Sequence, residues 1–211
     1  MTHRIIFVAS IFLVTIFSVV FMTSCTSFQI KSAVAKGDLF EVERLIEEGV
    51  DVNTVHYTIH VGEGPDKKMT LLMHAARDGH TEIAKLLIES GANVDAADFT
   101  DYSLRVEYQR GETALFYASG AGHTEIVRLL VDNGADVNAE VPSFPYGSYT
   151  ALCVAAYRGY IDVVKILVES GADATFRDID GKSVLDFAEY GRNPETKNEI
   201  IEYLKEAGAK Y

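Results

Sequence analysis

Only two cysteines occur in 211 residues, Cys25 and Cys153, and their contexts differ too much for a disulfide framework. The chain also lacks a Gly-rich phosphate loop, a nucleophile elbow and a cysteine pair at zinc spacing. Basic charge is scarce: 19 Lys and Arg stand against 31 Asp and Glu, a formal charge of −12. Such a surface repels phosphate backbones, and no basic stripe offsets it, which argues against nucleic acid as a partner. Glu41, Glu43, Glu47 and Glu48 form an acidic run, but no loop alternates ligands as a calcium site does. They read as a solvated helix face. His80 and His123 lie 43 residues apart at one recurring position, so repetition accounts for them better than a shared metal. Cys153 falls on the apolar face of a short predicted helix and reads as buried filler. No nucleophile, base and orienting group come together in the pattern. No catalytic residue, metal ligand or cofactor is expected.

What is present begins with an uncharged stretch from Ile5 to Ile30, almost purely apolar between Ile5 and Phe21. Arg4 precedes it and Met22-Thr23-Ser24-Cys25 follows, the layout of a secretory signal peptide. Those four residues resemble a bacterial lipobox, with Met22 where leucine is commonest. The resemblance implies cleavage after Ser24 and a Cys25 that carries a diacylglycerol thioether and an N-acyl chain. Several chains at about 0.8 kcal/mol per buried methylene would anchor the protein firmly. An uncleaved signal anchor is the alternative, since the apolar run sits at the lower edge of the roughly 20 residues that span a bilayer. Simple secretion is a third. Each puts the folded part outside the cytoplasm, and the first puts it on the bacterial envelope, facing the periplasm or the exterior. The expected organisation is a signal at 1–24, a lipidated tether at 25–27 and a repeat domain at 28–211. Past residue 24 the chain holds 31 acids and 18 bases, a formal charge of −13.

One unit returns along the rest of the chain. Thr70-Leu71-Leu72-Met73-His74-Ala75-Ala76 leads through Gly79-His80-Thr81-Glu82-Ile83 to Gly91-Ala92-Asn93-Val94-Asp95. Thr113-Ala114-Leu115 leads through Gly122-His123-Thr124 to Gly134-Ala135-Asp136-Val137-Asn138, and Thr150-Ala151-Leu152 through Gly159-Tyr160-Ile161 to Gly171-Ala172-Asp173-Ala174. A looser copy runs from Gly181-Lys182-Ser183 to Gly208-Ala209, and an opening one from Ala33-Val34-Ala35 to Gly49-Val50-Asp51-Val52-Asn53. These residues closely resemble the ankyrin repeat from about Phe28 onward. The resemblance implies an all-α solenoid of about five repeats, each a helix-turn-helix with a β-hairpin finger, behind the N-terminal hydrophobic segment. The copies fall near 28–53, 69–96, 111–139, 148–175 and 181–209. Each position has a physical role to match. Thr70, Thr113 and Thr150 would cap a first helix, and Gly79, Gly122 and Gly159 would end it in a left-handed turn. Ile83, Leu86 and Leu87 follow helical spacing in the second helix. One such pair cannot bury its apolar face alone, so copies must stack.

The family commonly has histidine three residues after the threonine. Met73, Phe116, Cys153 and Asp186 stand there instead, which predicts mainly apolar packing in place of imidazole contacts. In the last copy Asn193-Pro194-Glu195-Thr196 reads as an insertion between the helices. The repeats also differ in length. From Phe28 to Thr70, Thr113, Thr150 and Ser183 the steps are 42, 43, 37 and 33 residues, against the family's 33. The surplus falls where the resemblance places the fingers, so the first three fingers are extended. They are aromatic-rich, and Tyr and Arg are favoured at interface hot spots. Tyr57, His60, Phe99, Tyr102, Arg105, Tyr108 and Tyr146 are therefore the candidate protein-binding residues, with Arg77 and Arg158 beside them on the concave side. Mutual packing that stiffens the fingers is the plainer explanation for any one of them. The expected function is non-catalytic binding of a protein partner near the membrane, one with a basic patch. A self-assembling envelope scaffold, an enzyme site built in the fingers, and a secreted or signal-anchored protein acting on a host or envelope enzyme remain as alternatives.

Overall fold

The computed structural model describes residues 26–58, 67–100, 111–143 and 147–211. The signal-type segment and Cys25 lie outside the described residues. The chain divides into a first unit ending at Asp51 and a second running from Val52 to Tyr211.

In the first unit, helix α1 (26–36) and helix α2 (Leu39–Glu47) are joined by Gly37 and Asp38. Gly37 has φ 71°, and the amides of Gly37 and Asp38 donate to Val34 O and Ala33 O, both at 3.0 Å, so a left-handed residue closes α1. Asp38 then caps α2 by accepting from the Glu41 amide at 3.1 Å. Ile30, Ala33 and Val34 are buried at helical spacing on α1, as are Val42 and Leu45 on α2. Arg44 pairs with Glu41 and Glu48 on the outer side of α2, the solvated acidic face.

The second unit holds four helix pairs: α3 (Leu71–Asp78) with α4 (Thr81–Glu89), α5 (Ala114–Ala121) with α6 (Thr124–Asp132), α7 (Ala151–Arg158) with α8 (Ile161–Glu169), and α9 (Val184–Glu189) with α10 (Pro194–Glu206). First helices pack on one another in chain order, and second helices do the same in a layer behind them. Ten helices are therefore found among the described residues, and the eight of the second unit stack as an all-α solenoid whose strands belong to the fingers. The caps follow the sequence. Thr113 Oγ1 accepts from the Phe116 amide at 3.2 Å, Thr70 and Thr150 make the equivalent bonds at 3.3 Å, and Gly79, Gly122 and Gly159 have φ of 80–84°. Ala75, Ala118 and Ala155 are fully buried where the first helices meet.

Two expectations need correction. At the imidazole position, polar contact survives: the Thr70 amide donates to Met73 Sδ (3.3 Å), Thr150 Oγ1 donates to Cys153 Sγ (3.4 Å), and the Ser183 amide and hydroxyl donate to Asp186 Oδ2 (2.8 and 2.6 Å). Three of the four residues reach back to their own cap, and those bonds with Ser183 hold the Asp186 carboxyl below its usual range. The second concerns Asn193-Pro194-Glu195-Thr196, which is the start of α10 rather than an insertion between helices. Asn193 caps by accepting from the Glu195 amide at 3.0 Å, and Pro194 takes the first helical position, where its missing N–H costs nothing.

Beyond the packed helices, a ladder of three turn side chains, Asn53, Asp95 and Asn138, reaches from one turn to the next. Asn53 accepts from the Asn93 amide (2.8 Å) and donates to Gly91 O (3.1 Å); Asn138 does the same with the Asp173 amide and Gly171 O, at the same two distances. Asp95 accepts from the Asp136 amide at 2.8 Å but, as a carboxylate, has no N–H to donate. Asn138→Ala is expected to lower stability by about 1 kcal/mol, and Asp95→Asn to raise it slightly by supplying the missing donor. Urea midpoints of the two variants check this, and a destabilised Asp95→Asn would contradict it.

Candidate protein-binding face

The fingers rise from the starts of the first helices. Strand β1 (Val55–Thr58) pairs antiparallel with β2 (Lys67–Thr70), and β2 pairs in turn with β3 (Phe99–Thr100), the opening of the next finger. Two fingers are thereby joined in one three-stranded sheet. The register sets Lys68 opposite Tyr57 on one side and opposite Phe99 on the other. Three residues from two repeats stand in one transverse row. The third finger is a separate ribbon of β4 (Val141–Ser143) and β5 (Gly147–Tyr149).

The second finger has a rigid base. Asp98 Oδ1 accepts from the Glu112 amide (2.8 Å), the Asp98 amide donates to Glu112 O (3.0 Å), and Ala97 bridges to Thr113. The Tyr117 hydroxyl lies 2.8 Å from Asp98 Oδ2 and 2.6 Å from Glu112 Oε2, so two carboxylates share its single proton. Burial, more than these acids, drives the Tyr117 pKa far upward and keeps the phenol protonated. Gly111 leaves no room for a side chain, because a Cβ there would sit 1.8 Å from Asp98 O. The last finger closes in the same way without an insertion: Asp178 Oδ1 accepts from the amides of Asp180 (3.0 Å) and Lys182 (2.8 Å). The extra residues of finger two are thus spliced inside an existing clamp.

On the inner helices, the residue seven places after each cap forms a column of Arg77, Gly120, Tyr157 and Tyr190. Arg77 spends its guanidinium on Asp78, at 2.7 and 3.0 Å, and this pairing holds its pKa above the ordinary value. Arg192 lies over the Tyr157 ring, 5.5 Å from its centre, and donates from Nε to Tyr157 Oη at 3.2 Å. Tyr149 meets Phe187 edge-on at 5.3 Å. Tyr190 and Ile179, the latter in the turn of the last finger, are 74% and 82% exposed.

The model for ankyrin repeats in three copies matches residues 30–141, and a second ankyrin-repeat model matches 139–188. The chain belongs to the ankyrin-repeat family. A probable E3 ubiquitin-protein ligase, XBOS33 of Oryza sativa subsp. japonica, is 40% identical over 67 residues, which is 32% of this chain and 11% of that protein. The chain therefore spans about a tenth of that relative's length. An ankyrin array of this kind is a module for protein–protein interaction.

Of the residues expected to bind, the fold brings Tyr57 and Phe99 onto one sheet row and sets Arg77 and Arg158 in the last turns of α3 and α7. Those two arginines are not neighbours, since α5 lies between their helices. Arg158 is exposed and forms no ion pair among the described residues. His60, Tyr102, Arg105, Tyr108 and Tyr146 lie outside the described residues, as does Cys25. Tyr157, Tyr190 and Arg192 escaped the reading of the sequence, although aligning the caps would have put both tyrosines in the column of Arg77. Cys153 is fully buried and its thiol is pushed up to about 11, chiefly by burial, so it stays protonated and inert. Among the described residues no His, Cys, Asp and Glu gather in a metal-binding group.

Proposed function

We propose that this ankyrin array is a non-catalytic module, held on the bacterial envelope by lipid at Cys25, that docks a protein partner with its extended fingers and the inner helix faces beside them. The observation that carries this reading is the row Tyr57–Lys68–Phe99, which unites two fingers in one ledge with an arginine–aromatic column beside it. Its acids support the same reading. Asp98 and Glu112 serve to brace a finger, an arrangement that presents a loop and leaves no poised base. The array faces the periplasm or the exterior, and its excess of acid favours a partner with a basic patch, raising the association rate more than the affinity. No helix among the described residues is long and apolar enough to cross a membrane. Only a few residues separate Cys25 from the first repeat, and at about 3.5 Å per residue the partner is itself in or near the membrane.

Two measurements test this. A clickable fatty acid should label the wild type and not Cys25→Ala; equal labelling of both defeats the anchor. With the partner captured by cross-linking and identified by mass spectrometry, Tyr102→Ala and Tyr108→Ala should each weaken binding about tenfold or more, as hot-spot truncations do, while the outer-helix control Glu169→Ala binds as wild type. Folded finger variants that bind normally would reduce the fingers to scaffolding. Capture of further copies of this chain alone would favour a self-assembling scaffold instead.

A further inference from the structure

We infer that the first unit rests on the membrane surface, with the outward stripe of α1 and the neighbouring Phe40 seated among zwitterionic lipid headgroups; this builds on the envelope attachment proposed above. Single exposed apolar residues are ordinary, but several gathered in one short unit mark an interaction surface, and here Phe28 is 73% and Phe40 76% exposed, with Leu39 at 39%. On α1 the buried residues Ile30, Ala33 and Val34 mark the inner side. Helical spacing puts Phe28, Ser32 and Ala35 on the opposite side, where Phe28 and Ala35 are exposed. Lys31 and Lys36 border that stripe, as long cationic side chains do where a helix meets headgroups. The stripe runs toward the Gly37–Asp38 turn, just beyond which Leu39 opens α2 with Phe40 next.

What covers this face follows from the chain before it. The apolar run Ile5–Phe21 ends four residues before Cys25, and Phe28 is three residues after it. Three residues reach at most about 10 Å however they are arranged. The headgroup region on each side of a bilayer is about 6 Å thick, and apolar helix faces settle about 5–10 Å into that boundary. A lipidated Cys25 therefore delivers Phe28 to that layer, whereas an uncleaved anchor ending at Phe21 would leave it up to about 25 Å of chain away. Residues 26–51 carry six acids (Asp38, Glu41, Glu43, Glu47, Glu48 and Asp51) against three bases (Lys31, Lys36 and Arg44), and this net acidity disfavours anionic lipid and selects neutral headgroups such as phosphatidylethanolamine.

The chain contains no tryptophan, so a single introduced indole reports its own surroundings. Full-length Phe28→Trp, Phe40→Trp and the second-unit control Tyr190→Trp are reconstituted with phosphatidylethanolamine–phosphatidylcholine vesicles, with and without bromine on the lipid chains near the headgroups. The expected result is blue-shifted, bromolipid-quenched emission for Phe28→Trp and Phe40→Trp, and unshifted, unquenched emission for Tyr190→Trp. If the vesicles float with bound protein but bromolipid leaves Phe28→Trp and Phe40→Trp unquenched, this inference fails and the anchor stands. A blue shift without quenching means that a second copy or the chain's own N-terminal segment covers the face, which also overturns it. Protein that does not float at all removes the anchor and this inference together.

Discussion

Gly159→Ala is expected to lower the stability of the second unit by about 2–5 kcal/mol, whereas Gly134→Ala costs only about 1–2. Both glycines have φ of +84°, so backbone strain is the same at the two sites. Their surroundings differ. A Cβ on Gly134 meets nothing within 4 Å, while one on Gly159 would lie 2.4 Å from Asn193 Cβ and 2.8 Å from Thr196 Oγ1, the hydroxyl that donates to Gly159 O. Asn193 Cβ is fixed to the backbone and cannot swing aside. Gly79 and Gly122 fall between these extremes, because their contacts are the rings of His123 and Tyr160, at 2.6 and 2.9 Å, which pivot on rotatable bonds. Equilibrium urea denaturation of the variants, followed by circular dichroism, should rank them Gly159, then Gly79 and Gly122, then Gly134. Equal losses at Gly159 and Gly134 would show that strain alone matters and that close approach does not.

Ala155→Leu should cost about 1–3 kcal/mol, and Ala118→Leu a similar amount, by overfilling the contacts between first helices. Both alanines are fully buried, and α5 and α7 are already close: a Cβ added at Gly120 would come within 3.3 Å of Val154 Cγ2. Three extra carbons have no void to enter, so the helices must separate or a side chain must leave its rotamer. Unchanged denaturation midpoints in both variants would mean that the repeat register is misplaced.

Much of this was legible before any coordinates, because the relevant physics is local. A threonine before an apolar run caps a helix, and a glycine after it turns the chain left-handed, within a window of ten residues. The ladder was not legible for the opposite reason. Asn53, Asp95 and Asn138 look like ordinary turn formers, and their partners lie 38–41 or 33–35 residues away. Only stacking reveals that they link repeats. The same distinction applies to the candidate face. Surplus length announces long fingers, but the half-buried Asp98–Glu112–Tyr117 clamp at the root of finger two depends on contacts across the insertion. Met73, Cys153 and Asp186 misled for a subtler reason: three chemically different groups satisfy one cap, so residue type alone understated their polar role.

The close apposition at Gly79, Gly122 and Gly159 has a further consequence. The second repeat is fixed to the third, and the third to the fourth, at two places: by a side chain pressed on glycine (His123 on Gly79, Tyr160 on Gly122) and by an amide rung (Asp95 to Asp136, Asn138 to Asp173). Tilt and slippage between layers are both opposed, so the second unit behaves as a ruler whose divisions are the helix spacing of about 8–10 Å. Fingers mounted on such a ruler keep a fixed pitch. A partner that engages the described roots of fingers two and three together meets them about 10 Å apart.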